Sequence, residues 1–142
     1  MPQVQTSNEQ VVEAVVSGPD GANRLLTCVG AVPINLIAQP PSGSPGQSQT
    51  GSYTFFVGPT LARTQFHRAI GTASPKSWVV TMDSAPGTIP SLHHVSLGSR
   101  EADFDEEGQR VEARLEVRAQ VEGGSYLSLQ ALSYTVTILA EI

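Results

Sequence analysis

Apolar and polar side chains alternate strictly between residues 109 and 121. A period of two places one face of a strand against a core and the other in water. A helix would set Glu112 four residues from Glu116, and like charges at that spacing destabilise helices. We therefore predict a strand whose buried face is Val111, Ala113, Leu115, Val117, Ala119 and Val121.

This strand and the chain's last segment suggest a β-hairpin. Glu122, Gly123 and Gly124 form a short glycine-containing connection of the kind that joins antiparallel strands. We predict that residues 109–121 pair with residues 125–142. The apolar positions after the turn change parity between Ala131 and Leu132, and one extra residue in a ladder has that effect. A β-bulge is predicted near residues 130–132.

Short strands separated by glycine and proline recur upstream. The candidates are residues 11–16, 25–29, 32–39, 53–57, 78–82 and, more weakly, 92–97. Many short strands with such turns are typical of a β-sandwich or barrel. We predict a single all-β antiparallel domain over residues 1–142, jelly-roll-like or Greek-key.

Three segments are harder to assign. Four valines within residues 11–16 favour a strand, although Ser7 and Gln10 could instead cap a helix. Residues 60–70 could form a short helix or an irregular strand. Residues 40–52 contain only proline, glycine, serine, glutamine and threonine, so we predict a long loop or arm, either flexible or ordered against a partner.

The charge of the chain restricts its partners. Net charge is −5, with eight Lys and Arg against thirteen Asp and Glu. Nucleic-acid binding depends on a basic patch that displaces counterions, and an anionic membrane also attracts basic surfaces. We expect neither partner. No signal peptide or apolar stretch of membrane-spanning length is present, which predicts cytosolic synthesis.

An acidic segment, residues 101–108, resembles the first half of a calcium loop. Alternate oxygen ligands followed by glycine suit a hard cation, which makes Asp103, Asp105 and Glu107 weak calcium candidates. A true EF-hand is excluded because its twelfth position is Arg114 rather than glutamate. A solvated acidic turn is the favoured interpretation, and no cofactor is predicted.

The sequence offers little for catalysis. His93 and His94 are adjacent and would point to opposite faces of a strand, and His67 is distant in sequence. Cys28 lies in an apolar run that favours burial, and no Gly-x-Ser-x-Gly nucleophile motif occurs. We expect no catalytic activity.

The remaining expectation is a protein that works through contacts. We predict a non-catalytic structural subunit of a larger particle, such as a phage capsid decoration, connector or tail component, and a homo-oligomer or a complex with other subunits. The alternative is a module that binds a glycan or small ligand through exposed rings. The candidate interaction residues are Pro41, Ser44, Pro45, Gln47, Gln49, Phe55, Phe56 and Trp78.

Overall fold

The described residues form seven antiparallel strands in two sheets. The computed structural model describes residues 3–19, 21–40, 46–81, 92–122 and 126–142. The strands are β1 (Ser7–Gly18), β2 (Gly21–Ala38), β3 (Gly46–Val57), β4 (Phe66–Thr81), β5 (Leu92–Asp105), β6 (Arg110–Glu122) and β7 (Tyr126–Glu141). The order is β1-β2-β7-β4 in one sheet and β3-β6-β5 in the other. The predicted all-β sandwich is confirmed.

The alternation in β6 has the predicted structural meaning. All six of its apolar side chains are at most 5% exposed and belong to one core cluster that draws on both sheets. On the outer face the Arg114 Nε lies 3.1 Å from the Glu112 Oε1, and the Arg118 Nε donates to the Ser48 Oγ. The outer face is therefore polar and solvated.

The two C-terminal strands are present, but they do not pair with each other. β6 is hydrogen-bonded to β3 and β5, whereas β7 is hydrogen-bonded to β2 and β4. The two consecutive strands lie in opposite sheets, and the apolar faces of both contribute to the same core. Alternation specifies which face of a strand is buried but not which strands flank it. The predicted pairing of residues 109–121 with residues 125–142 is therefore wrong: each segment forms a strand, but the two strands pair with other partners.

The predicted bulge in β7 is confirmed. Against β4, Ser77 pairs with Ala131 and Trp78 with Leu129, which leaves Gln130 without an opposite residue. The Ser77 hydroxyl lies 3.2 Å from the Gln130 Oε1. The bulge lets β7 bury its odd-numbered apolar residues before Gln130 and its even-numbered ones from Leu132 onward.

Of the two forms left open for residues 60–70, the short helix is wrong, whereas the irregular strand is partly confirmed. Residues 60–70 contain only one 3-10 turn, Arg63–Gln65, and Phe66 already begins β4. The ring of Phe66 stacks on Phe104 with 5.5 Å between centroids, so this part of the chain is held by strand packing instead of helical packing. The predicted loop 40–52 is also shorter than expected, because β3 begins at Gly46. Residues 41–45 lie outside the described part.

The polar start of β3 forms a strand because β6 supplies the apolar surface. Gly46 to Val57 pair with Glu122 to Val111 without a register shift. Gly51 fits beside the Tyr53 ring: a Cβ atom there would lie 2.5 Å from the tyrosine hydroxyl oxygen. A missing side chain at this position is therefore required by close packing.

Consecutive phenylalanines test the assignment of faces in β3. Phe55 is fully buried and its ring lies 4.9 Å from that of Tyr134, while Phe56 is half-buried under the Arg110 guanidinium. We expect Phe55→Ala to lower the free energy of unfolding by about 3–5 kcal/mol and Phe56→Ala by only about 1 kcal/mol. Urea unfolding measures both variants. Equal losses would contradict the assignment.

Candidate protein–protein interface

The most unusual surface of the molecule is strand β1. It is one of the two end strands of the four-stranded sheet, and among the described residues it pairs with β2 alone. Val11, Val12, Val15 and Val16 are 44%, 67%, 64% and 37% exposed. Four solvent-exposed valines on a sheet edge combine an apolar surface with unpaired backbone groups, which is the usual template for pairing with another chain.

Both faces of β1 contribute to this surface. Val12 shares a row with Thr27, Thr137 and Ile70 across the outer face of the four strands. Val11, Glu13 and Val15 point to the inner side, next to Cys28, Leu26 and Arg24 of β2. This row of the outer face thus consists of valine, isoleucine and threonine, unlike the charged outer face of β6.

The other sheet edges carry features that discourage pairing. β4 contains Pro75 and Lys76 and has three register shifts. β5 has a register shift between Leu97 and Arg100. Proline, lysine and bulges are the devices that natural proteins place on exposed edges. Residues 10–18 of β1 contain no proline, lysine or bulge, and Glu13 is the one charged side chain in this stretch.

The edge of β3 is partly covered by the N-terminal segment. The Val4 amide donates to the Thr54 carbonyl at 2.8 Å, and Gln3 forms a parallel bridge with Thr54. The chain then crosses from this sheet to the other one, where β1 begins at Ser7. An open cleft of about 430 Å³ lies beside the crossing, lined by Gln3, Val4, Gln5, Thr6, Phe56 and Arg110.

A β-bulge at the start of β1 turns a carboxylate inward. Ser7 pairs with Ala31 and Gln10 with Val29, so Asn8 and Glu9 together oppose the single residue Gly30. Asn8 adopts a φ of 53°, in the left-handed region that asparagine tolerates better than most residues. The bulge places the Glu9 side chain against the edge of the core.

The Glu9 carboxylate connects β1 to both layers. One oxygen accepts from the Gly58 amide at 3.0 Å, and the other accepts a short hydrogen bond from the Tyr134 hydroxyl. Burial, reinforced by Glu9, raises the pKa of the Tyr134 phenol well above its usual range, so this hydroxyl stays a donor. Arg110 donates to the Gly58 carbonyl at 3.0 and 2.6 Å. These contacts hold β1 in place.

Gly30 makes room for this contact. A Cβ atom at Gly30 would lie 2.6 Å from the Tyr134 hydroxyl oxygen and 3.1 Å from the Glu9 Cα. Distances this short are not tolerated, so any side chain at position 30 would displace the phenol from the carboxylate. The bulge, the glycine and the tyrosine therefore form one structural unit.

Several predicted interaction residues have other roles. Phe55 is fully buried in the core, so its side chain is not available for contact with a partner. Phe56 borders the N-terminal cleft, and the Gln47 Oε1 accepts from the Gln39 amide at 2.7 Å. Gln49 lies in β3 opposite Ala119. Pro41, Ser44 and Pro45 lie outside the described residues.

Trp78 is the aromatic interaction candidate that lies on the surface of the described structure. Its side chain is 54% exposed and borders a cleft of about 160 Å³ between the ends of β4 and β5. The cleft is lined by Pro75, Trp78, Val80, His93, His94, Val95 and Leu127. The His93 Nε2 is buried there without a hydrogen-bond partner in the described part of the chain.

The three calcium candidates do not converge on a cation site. The Asp105 Oδ2 accepts from the Gly108 amide at 2.6 Å, and the Asp103 Oδ1 accepts from the Phe104 amide at 2.8 Å. Glu107 is exposed in the turn that follows β5. Within the described ranges, no group of three or more His, Cys, Asp or Glu side chains is arranged to hold a metal ion.

The remaining titratable candidates are also accounted for. His67 lies on β4 with its Nε2 3.9 Å from the Glu141 Oε1. Cys28 is fully buried on β2, and burial, with a smaller contribution from Glu9, raises the pKa of its thiol to about 11. A thiol with that pKa is almost entirely protonated at neutral pH and is a poor nucleophile.

Comparison of the chain with protein-family models, curated proteins and solved structures finds no match. In the described ranges, no helix has the length and apolar character needed to cross a membrane.

Sequence reasoning placed a strand at residues 11–16 but did not identify it as an interface. The relevant signal is the order Val-Val-Glu-Ala-Val-Val, which lacks the alternation seen in β6. A strand apolar on both faces is either buried on both sides or available to another chain. Glu9 carried no comparable signal, because its role depends on a bulge and on Tyr134, which is 125 residues away.

The Glu9–Tyr134 contact is open to a double-mutant test. We expect Tyr134→Phe to lower the free energy of unfolding by about 1–3 kcal/mol, because a partly buried carboxylate oxygen loses its donor. Glu9→Gln should cost a similar amount, and the double variant should cost less than the sum of the two. Denaturant unfolding provides the values. Tyr53→Phe is the control, since burial alone raises the pKa of Tyr53. Strictly additive losses of unfolding free energy at positions 9 and 134 would contradict a direct contact between the Glu9 and Tyr134 side chains.

Proposed function

We propose that this chain is a non-catalytic assembly subunit of a larger particle and that it acts by accepting a β-strand on the free edge of β1. The observation that carries the proposal is that, among the described residues, β1 pairs only with β2, and residues 10–18 carry exposed valines on both faces. Main-chain hydrogen bonds supply affinity in strand addition, and the side chains supply register and specificity. A component of a repeating particle, such as a virion, is the setting that fits such a subunit.

The anchoring of β1 supports this proposal. Adding a strand to an edge requires a rigid template, because ordering a mobile segment on binding costs conformational entropy. Glu9 holds one end of β1 to Gly58 and Tyr134, and the turn to β2 holds the other end, where Gly18 pairs with Gly21. The edge is thus preorganised for a partner.

The environments of Cys28 and Glu9 support a non-catalytic role. A catalytic group must be accessible and free to react. The Cys28 thiol is buried and its pKa is raised, and the Glu9 carboxylate already accepts two hydrogen bonds within the fold.

The alternative function is binding of a glycan or small ligand, and the exposure of Trp78 favours it. A half-exposed ring is suited to stacking on a sugar face. However, five of the seven residues that line its cleft are apolar, and about 160 Å³ is below the roughly 300 Å³ at which ligand pockets usually begin. The edge of β1 is the stronger candidate.

A lysine scan of two matched positions tests the assembly function. Val12 and Ile70 share a row and are 67% and 63% exposed, but only Val12 lies on β1. Lysine on an edge strand discourages pairing. We expect Val12→Lys to weaken association by roughly tenfold or more, and Ile70→Lys to have little effect. Sedimentation of the tagged protein in gentle extracts of its native cells is the measurement.

In that experiment, the wild-type chain and Ile70→Lys should sediment in a complex much larger than one chain, and Val12→Lys should shift towards the free chain. Circular dichroism should show that all three proteins are folded, as expected for exposed positions. A wild-type protein that sediments as a free single chain would contradict the proposed function. A complex lost equally in both variants would contradict the assignment to the edge.

A further inference from the structure

We propose that the strand added to β1 is β1 of a second copy of this chain, antiparallel to the first, with Ala14 on the two-fold axis. This inference rests on the proposed function and names the partner of the same edge. The product is a closed dimer in which the two four-stranded sheets become one sheet of eight strands. Two-fold pairing of identical edges is the commonest closed arrangement of identical subunits.

The length of the regular edge of β1 fixes the register of this pairing. The bulge at Asn8 and Glu9 interrupts the ladder of β1 at one end, and the turn after Gly18 ends it at the other. The regular stretch is therefore residues 10–18, and its midpoint is Ala14. Antiparallel pairing of this stretch with itself uses its full length only when Ala14 lies opposite Ala14.

The orientation of the side chains on β1 favours the same register. A two-fold axis perpendicular to the sheet keeps the outer face of one copy continuous with the outer face of the other. Opposite residues must then both belong to the outer set, which contains Val12, Ala14 and Val16. With Ala14 on the axis, Val12 of each copy lies opposite Val16 of the other. Apolar β-branched pairs of this kind stabilise adjacent strands.

The charges of Glu13 and Arg24 also favour this register. A shift that placed Glu13 on the axis would set Glu13 opposite Glu13, and directly opposed like charges are unfavourable. With Ala14 on the axis, Glu13 of one copy lies opposite Val15 of the other. Val15 itself pairs with Arg24 of β2, so the incoming carboxylate is added to the row that contains Arg24.

Arg24 is suited to receive that carboxylate. Its Nε is buried and has no hydrogen-bond partner in the described ranges, and the Glu13 Oε1 of its own chain is 3.8 Å away. A buried guanidinium donor without an acceptor is costly. In the dimer, each Arg24 has a glutamate on the adjacent strand of its own copy and another on the strand beyond, which provides charge complementarity across the axis.

A cysteine scan along β1 tests the pairing. Residues directly opposite in an antiparallel pair have Cα atoms about 4.5–5.5 Å apart, within the range of a disulfide. We expect Ala14→Cys to form a disulfide-linked dimer under mild oxidation. The matched controls are Val12→Cys and Ser17→Cys, whose two copies would be about 14 Å and 20 Å apart along the strands. Each of these positions is exposed, and Cys28 is buried in every variant.

Non-reducing electrophoresis gives the cross-linked fraction, and sedimentation of the purified wild-type protein gives its mass without any substitution. A concentration-dependent dimer with the largest cross-linked fraction at position 14 supports the proposal. A largest fraction for Glu13→Cys would overturn the register. A purified wild-type chain that stays monomeric at all concentrations would overturn the second copy as partner. If a large complex still occurs in native extracts, the proposed function stands and the partner is a different protein.

Discussion

The carboxylate of Glu9 fastens the outermost strand of the four-stranded sheet to the rest of the molecule. It accepts from the Gly58 amide on one side and from the Tyr134 hydroxyl on the other. Tyr134 is 2% exposed and packs on Phe55 of the opposite sheet, so the contact joins β1 to the centre of the core. Together with the ladder between β1 and β2, this link fixes the position of β1 and of the surface that it presents.

The link has a consequence for function because it orders β1 without covering it. A strand with exposed valines on both faces is held as a rigid edge instead of being folded into the core or left to fray. Natural sheets generally protect such edges, and here β4 and β5 have irregular registers while the N-terminal segment contacts β3. Among the described residues the edge of β1 is therefore the exception, and the strand addition that we propose would account for it.

The sequence predicted single strands better than their arrangement. The alternation in β6 identified its buried face residue by residue, and the change of parity in β7 located the bulge at Gln130, because both patterns follow from the local geometry of a strand. The neighbours of β6 and β7 could not be obtained in this way. Both strands have one apolar face, and pairing side by side or packing face to face satisfies that pattern equally.

The candidate interface was only partly visible in the sequence for a similar reason. The valines of residues 11–16 indicated a strand that is apolar on both sides, but their exposure follows from the position of β1 at the end of a sheet. The polar residues 46–52 suggested a loop because the apolar surface that supports them belongs to β6, more than sixty residues later. Glu9 and Tyr134 acquire a shared role only when the fold brings them together.

Amide hydrogen exchange along β1 measures whether a partner covers its free edge in the assembled protein. Residues 10–18 should exchange more slowly in the assembled protein than in the dissociated Val12→Lys chain, with the protection concentrated at alternate amides that point away from β2. Amides of β6, which lie between two strands, should be protected equally in both. Identical exchange at residues 10–18 in the assembled and dissociated proteins would contradict the account, because the edge of β1 would then have no partner.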